Sequence, residues 1–219
     1  MRGLYAITPA TLDSKRLIEQ VSLVIAGGAS VVQYRAKQLA KDIAKTQAQA
    51  LRAVTRATGT TFIINDDSEL AMAVGADGVH LGRDDGGVDA IARLRGLCTA
   101  RLPHRPFIIG VSCYNELSRG EAAVAAGADY IAFGSFFASI TKPNAVKADI
   151  ALIRAAKARF TVPIVAIGGI TVDNAPPLIA ANVDAVAVIS SLFDADDIER
   201  RAREFTFLFQ PESHVEFHQ

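Results

Sequence analysis

Eight short apolar runs, each followed by a longer segment with helical spacing, recur from one end of the chain to the other. This alternation restricts the fold more than any other feature. The runs cover residues 4–7, 31–34, 62–65, 78–81, 107–112, 130–133, 164–167 and 185–189. They are β-branched and almost continuously apolar, the pattern of parallel strands buried on both faces. Between them lie Ala-rich segments such as 14–26, 40–57, 116–126 and 149–159, with apolar residues three and four apart. Eight such units predict an α/β protein of the (β/α)8 or TIM-barrel class, closed as a single domain. We expect the barrel over residues 1–208 and a polar C-terminal tail over 209–219. An open doubly wound sheet is the competing arrangement, but no G-x-G-x-x-G follows the first run.

A weaker periodicity lies over the alternation. Gly28-Ala29, Gly75-Ala76-Asp77, Gly127-Ala128-Asp129 and Asn182-Val183-Asp184 each close a helical segment and open a strand, about fifty residues apart. Gly, or Asn in its place, takes the left-handed conformation that ends a helix. Two readings stand: four quarters of one repeated unit, or the ordinary preference of such turns for glycine.

The chain has 219 residues, 50% of them hydrophobic, and 23 basic against 23 acidic side chains. Zero net charge gives no excess for non-specific nucleic-acid binding, so any anion site must be local. The mean hydropathy of +0.25 raises the question of a membrane. The longest stretch free of charge, between Glu19 and Arg35, is about 15 residues, short of the roughly 20 needed to span. Cys98 and Cys113 are too few for a disulfide framework or metal knuckle and read as reduced, structural residues, Cys113 at a strand end. The N-terminus enters a strand at once with no signal peptide. A cytoplasmic setting, with neither membrane nor nucleic acid as partner, is expected; self-association is left open.

In a barrel of this class the loops after the strands share one face, so polar residues gathered at strand C-termini read as a site. Gln33, Arg35 and Lys37 alternate at period two, which puts them on one side of an extended chain. An Arg fork with a Lys ammonium suits a polyanionic ligand. Asp66 and Asp85 follow adjacent strands and are placed to share one hard cation, with Mg²⁺ as the fitting ion. Of Asp66 and Asp67, one is expected to cap the next helix and the other to face the site. Gly168-Gly169 and Ser190-Ser191 follow runs seven and eight, where barrels build phosphate sites from backbone amides. His80 and Cys113 make a conceivable nucleophile–base pair, but no third, orienting residue is evident, and His80 reads better as a positioned strand-end residue. His104, His214 and His218 lie in loop-like or tail sequence. Two anion pockets without acid–base machinery suggest a group transfer driven by a good leaving group such as pyrophosphate.

These residues resemble the thiamine phosphate synthase family from about Leu4 to about Leu208. The resemblance is carried by Gln33-Tyr34-Arg35-Ala36-Lys37, Asn65-Asp66-Asp67, Gly78-Val79-His80-Leu81-Gly82 with Asp85, and Gly110-Val111-Ser112. It continues through Gly127-Ala128-Asp129-Tyr130, Thr141-Lys142, Val165-Ala166-Ile167-Gly168-Gly169-Ile170 and Val188-Ile189-Ser190. It implies an enzyme that joins an aminopyrimidine-methyl diphosphate to a thiazole phosphate and releases pyrophosphate. By resemblance Gln33, Arg35, Lys37, Asn65 and Lys142 bind the diphosphate, Asp66 and Asp85 hold Mg²⁺, and Ser112 contacts the pyrimidine. Ser139 and Thr141 line the thiazole-phosphate side with the backbones of Gly168, Ile189 and Ser190. Lys142, Ser112 and Arg35 are the expected catalytic residues. Three positions depart from the family pattern: Arg83 where Gln is more frequent, Ser135 where Pro is usual, and Ser139 in place of a threonine. The alternatives are a thiazole-phosphate tautomerase-like paralogue of the same barrel and a non-catalytic phosphate-ligand-binding regulator.

Overall fold

The computed structural model describes residues 1–82, 87–101, 106–138 and 146–210. Its eight parallel strands are β1 (Gly3–Ile7), β2 (Val31–Tyr34), β3 (Thr61–Asn65), β4 (Gly78–Leu81), β5 (Ile108–Tyr114), β6 (Tyr130–Phe133), β7 (Ile164–Ile167) and β8 (Ala185–Val188). They close in sequence order, β8 pairing back onto β1 with Gly3 opposite Ala185. The helices between them are α1 (Ser14–Ala26), α2 (Lys41–Thr58), α3 (Ser68–Ala73), α4 (Gly87–Arg101), α5 (Leu117–Ala125), α6 (Ile150–Arg159) and α7 (Pro176–Ala180). After β8 come α8 (Ser190–Phe193) and α9 (Ile198–Phe207), and α9 packs on α1. The fold is the (β/α)8 barrel. Among the described residues no helix is long and apolar enough to cross a membrane.

The apolar half of the chain divides into two cores because each strand is buried on both faces. One set, including Leu4, Val32, Phe62, Ile64, Val79 and Ile131, packs outward against the helices. The other, including Tyr5, Ile7, Val31, Ile63, Tyr130, Val165 and Ala187, fills the barrel interior. Helix starts follow side-chain capping. Asp13, Asp67, Asp149 and Asp197 each accept a backbone N–H three residues on, satisfying a donor that the first turn leaves unpaired.

The fifty-residue periodicity is a structural repeat. Gly28, Gly75, Gly127 and Asn182 all have positive φ, 95°, 67°, 101° and 66°. The residue two positions after each donates its backbone N–H to the strand before: Ser30 to Leu4, Asp77 to Phe62, Asp129 to Ile109 and Asp184 to Ile164. In three quarters that residue is an aspartate whose carboxylate also accepts the N–H of Phe62, Ile109 or Ile164. The same carboxylates bind Arg52 of α2, Arg95 of α4 and Lys157 of α6. A general glycine preference does not account for the repeated aspartate clamps, so the four-quarter reading holds.

Five strand boundaries differ from expectation: β1 and β3 each start one residue earlier, β5 starts one residue later, and the ends of β5 and β8 both move. β5 runs through Cys113 to Tyr114 rather than stopping at Ser112, so Cys113 sits inside the strand, fully buried. A register shift between Ser112 and Tyr114 against β6 lets the strand continue past the expected end. β8 stops at Val188 because Ile189, at φ −117° and ψ −90°, leaves the extended path to open α8. Residues 211–219 of the expected tail lie outside the described residues.

Candidate active site

The C-terminal ends of the strands open onto one cavity of about 340 Å³. Its floor is the interior core, with Tyr5, Ile7, Tyr130, Ala132 and Val165. Its wall brings together Gln33, Arg35, Asn65, His80, Ser112, Gly168, Ile189 and Ser190 from β2, β3, β4, β5, β7 and β8 and the turns after them. Thus every expected site residue among those described, except Lys37 and Asp66, lines a single chamber.

Local bonds fix the cationic corner. Thr8, fully buried after β1, donates its N–H to the Gln33 carbonyl, and its hydroxyl accepts the Arg35 N–H at 3.0 Å. Arg35 is half-buried, and among the described residues no carboxylate pairs with it. A guanidinium withdrawn from water without a counter-charge is costly unless a ligand anion supplies one.

Lys37 parts from Gln33 and Arg35. β2 ends at Tyr34 and Gln38 turns at φ 73°, so the period-two projection does not carry to residue 37. Lys37 instead lines an adjoining cavity of about 410 Å³, which shares Asn65 with the first. There its Nζ lies 3.2 Å from Asp66 Oδ2.

The two aspartates after β3 divide their work. Asp67 caps α3 through the N–H of Leu70 at 2.8 Å. Asp66, at φ 64°, is left to face Lys37 and the second cavity. Among the described residues no three His, Cys, Asp or Glu side chains cluster as a metal site. Asp66, a partly exposed carboxylate beside Lys37, fits Mg²⁺, which takes one or two carboxylates and completes its shell with water and ligand oxygens. It does not fit a closed zinc site. Asp85, Ser139, Thr141 and Lys142, together with Arg83, lie outside the described residues.

The glycine pair after β7 has a packing reason. Gly168 and Gly169 have φ 104° and 61°. A Cβ on Gly168 would stand 2.0 Å from Ser135 Oγ, and one on Gly169 2.2 Å from the Ala138 carbonyl. Asn174 Nδ2 holds the Gly169 carbonyl at 3.0 Å, which fixes the turn. Both glycines line the main cavity beside Ile189 and Ser190.

Cys113 and His80 do not form a catalytic pair. The Cys113 thiol is directed at the Val111 carbonyl, and burial pushes its pKa up to about 12, so it stays a thiol. Both ring nitrogens of His80 are engaged with other groups, Tyr130 Oη at 2.8 Å and Ser112 Oγ at 2.9 Å. Tyr5 and Tyr130 are site residues that the sequence reading missed. Their signal was period-two spacing, which puts Tyr5 on the face of Ile7 and Tyr130 on that of Ala132.

Comparison with known proteins adds the family context. A family model described as thiamine monophosphate synthase matches residues 4–192. A thiamine-phosphate synthase of Methylobacillus flagellatus is 52% identical over 210 residues, covering 95% of this chain and 96% of that protein. One of Thiobacillus denitrificans is 48% identical over 212 residues, covering 96% of each. Among solved structures, a thiamine phosphate pyrophosphorylase from Pyrococcus furiosus superposes with a TM-score of 0.80 at 32% identity, covering 94% of this chain and 95% of that one.

Proposed function

The chain belongs to the thiamine monophosphate synthase family, and from that premise we propose how its site works. It is a transferase that condenses 4-amino-2-methyl-5-pyrimidinylmethyl diphosphate with 4-methyl-5-(2-phosphoethyl)thiazole, giving thiamine phosphate and pyrophosphate. The observation that carries the mechanism is the half-buried Arg35, paired with no carboxylate among the described residues, on a wall shared with Asn65 and Ser112.

In our reading Gln33, Arg35, Lys37, Asn65 and Lys142 receive the diphosphate, and Ser112 holds the pyrimidine over the apolar floor. Ser139, Thr141 and the backbones of Gly168, Ile189 and Ser190 receive the thiazole phosphate. Asp66 and Asp85 would hold Mg²⁺, which supplies positive charge to the leaving diphosphate when bound. The pyrimidine amino group donates electrons toward the exocyclic carbon, so the C–O bond breaks before the new bond has formed. Arg35 and Lys142 stabilise the charge that develops on the departing oxygens. The cavity holds the thiazole nitrogen in line with the exocyclic carbon, which makes capture effectively unimolecular. Pyrophosphate takes the electron pair of the broken C–O bond, and the lone pair of the thiazole nitrogen then forms the new C–N bond to the exocyclic carbon.

Residues 1–208 form the catalytic unit, and we place the enzyme in the cytoplasm, where its two buried cysteines remain thiols. The test is substitution at the cationic groups. Arg35→Met and Lys142→Ala are expected to lower kcat/KM for the diphosphate substrate roughly 100-fold or more, with the melting temperature within a few degrees of wild type. Near-normal turnover in either variant removes that residue from the mechanism.

A further inference from the structure

The barrel interior contains an unbroken hydrogen-bond chain whose middle members, Tyr5, Tyr130 and His80, have no role in the mechanism above. Gln33 Nε2 donates to Tyr5 Oη at 2.8 Å, and Tyr5 Oη lies 2.7 Å from Tyr130 Oη. Tyr130 Oη is 2.8 Å from His80 Nδ1, and His80 Nε2 is 2.9 Å from Ser112 Oγ. The chain crosses five strands, and its first four members are all buried, His80 being the most exposed at 8%. Interiors of this class are ordinarily filled by branched aliphatic side chains. Here the backbone leaves space for a phenol ring: a Cβ on Gly110 would stand 1.9 Å from Tyr130 Cζ and 2.3 Å from its hydroxyl.

Direction follows from donor and acceptor accounting, since a buried hydroxyl needs an acceptor for its proton. Tyr5 oxygen accepts the Gln33 amide, so the Tyr5 proton goes to Tyr130. The Tyr130 proton then goes to His80 Nδ1, which must present a lone pair. The ring proton of His80 therefore sits on Nε2 and points at Ser112 Oγ. With its oxygen accepting from His80, Ser112 turns its own proton away from the ring, and Ser112 lines the cavity. Burial pushes the pKa of Tyr5 and of Tyr130 well above the usual phenol value, so both keep the protons this arrangement needs.

We propose that Tyr5, Tyr130 and His80 are positioning residues whose one-way hydrogen-bond chain fixes His80 as the Nε2–H tautomer and makes Ser112 a hydrogen-bond donor to a heteroaromatic ring nitrogen of the substrate. The substrate half of this inference rests on the reading that Ser112 contacts the pyrimidine. The chain discriminates by chemistry: an analogue with C–H in place of the accepting ring nitrogen leaves the Ser112 proton unpaired and binds on the order of 10- to 100-fold more weakly.

The test uses the whole chain labelled with 15N-histidine, with His80 assigned among four histidines by its loss in His80→Gln. Wild type is expected to show His80 as the neutral Nε2–H tautomer without substrate. In Tyr130→Phe the tautomer should become mixed. The KM for the pyrimidine diphosphate should rise about 10-fold, while the KM for the thiazole phosphate stays unchanged. Tyr5→Phe, a smaller change to the ring packing, should shift both readouts in the same direction and carries the test if Tyr130→Phe fails to fold. An Nδ1–H tautomer in wild type, or folded variants with unchanged tautomer and KM, overturns the proposal. The tautomer is read without turnover, so a wild-type protein that releases no pyrophosphate defeats the functional reading separately from the chain.

Discussion

Removing the carboxylate of Asp77 tests whether the repeated aspartate clamps hold the barrel together on the face away from the site. Asp77 Oδ2 accepts the Phe62 N–H at 2.9 Å, and the carboxylate binds Arg52 through two bonds of 2.9 and 2.8 Å. In Asp77→Ala the Phe62 N–H, on a fully buried residue, loses that acceptor, at a cost of about 1–3 kcal/mol. The Arg52 pair, with side chains 18% and 30% exposed, adds about 1 kcal/mol after solvent screening. The sum is about 2–4 kcal/mol, or roughly 4–15 °C in Tm for a chain of this size. Asp77→Asn keeps an acceptor for Phe62 and should cost about 1 kcal/mol. Urea unfolding should show the midpoint falling at constant slope, more for Ala than for Asn. The kcat of folded protein should stay within about twofold of wild type, because Asp77 precedes β4 and the cavity lies at the other strand ends. Equal costs for Ala and Asn, or an Ala cost below about 0.5 kcal/mol, would refute the clamp.

Other outcomes are equally specific. Gly110→Ala drives a methyl into the Tyr130 ring; a stability loss of about 1–3 kcal/mol and a larger proportional loss of activity are expected, and wild-type kinetics in the purified variant would contradict the packing. Alkaline stability should fall as well. Cys113 titrates near its ordinary 9.0 when unfolded but only at about 12 when folded. Its contribution is therefore complete below pH 9 and is lost between about 9 and 12, with a slope of up to about 1.4 kcal/mol per pH unit. Cys113→Ala should flatten the pH 9–10 part of a urea-midpoint profile, before the buried tyrosines begin to contribute.

The parts of the fold legible in the sequence were those decided by local pattern. Strands at 31–34, 78–81, 130–133 and 164–167 and the helix at 14–26 have the expected bounds because apolar runs and caps mark their ends. The end of β5 was not legible, since Cys113 looks like any strand-edge residue until β6 shifts register beside it. At the site, Gln33, Arg35, Asn65, Ser112, Gly168, Ile189 and Ser190 line one cavity because strand ends in a closed barrel converge. Lys37 lines a different cavity, for the chain turns immediately after β2 and period-two reasoning applies only within a strand. The Gln33–Tyr5–Tyr130–His80–Ser112 chain depends on which interior side chains meet across the barrel, a tertiary property that no single strand encodes. Gly168-Gly169 was legible as a special backbone, but its close approach to Ser135 and Ala138 emerges only from the packed loops.

The most direct measurement is product formation by the purified full chain given both substrates and Mg²⁺. The account predicts thiamine phosphate and pyrophosphate in equal amounts, neither forming when one substrate is withheld, and both abolished by a chelator and restored by added Mg²⁺. Isomerisation of the thiazole phosphate without pyrophosphate release, or binding of phosphorylated ligands by folded protein with no product, would contradict it.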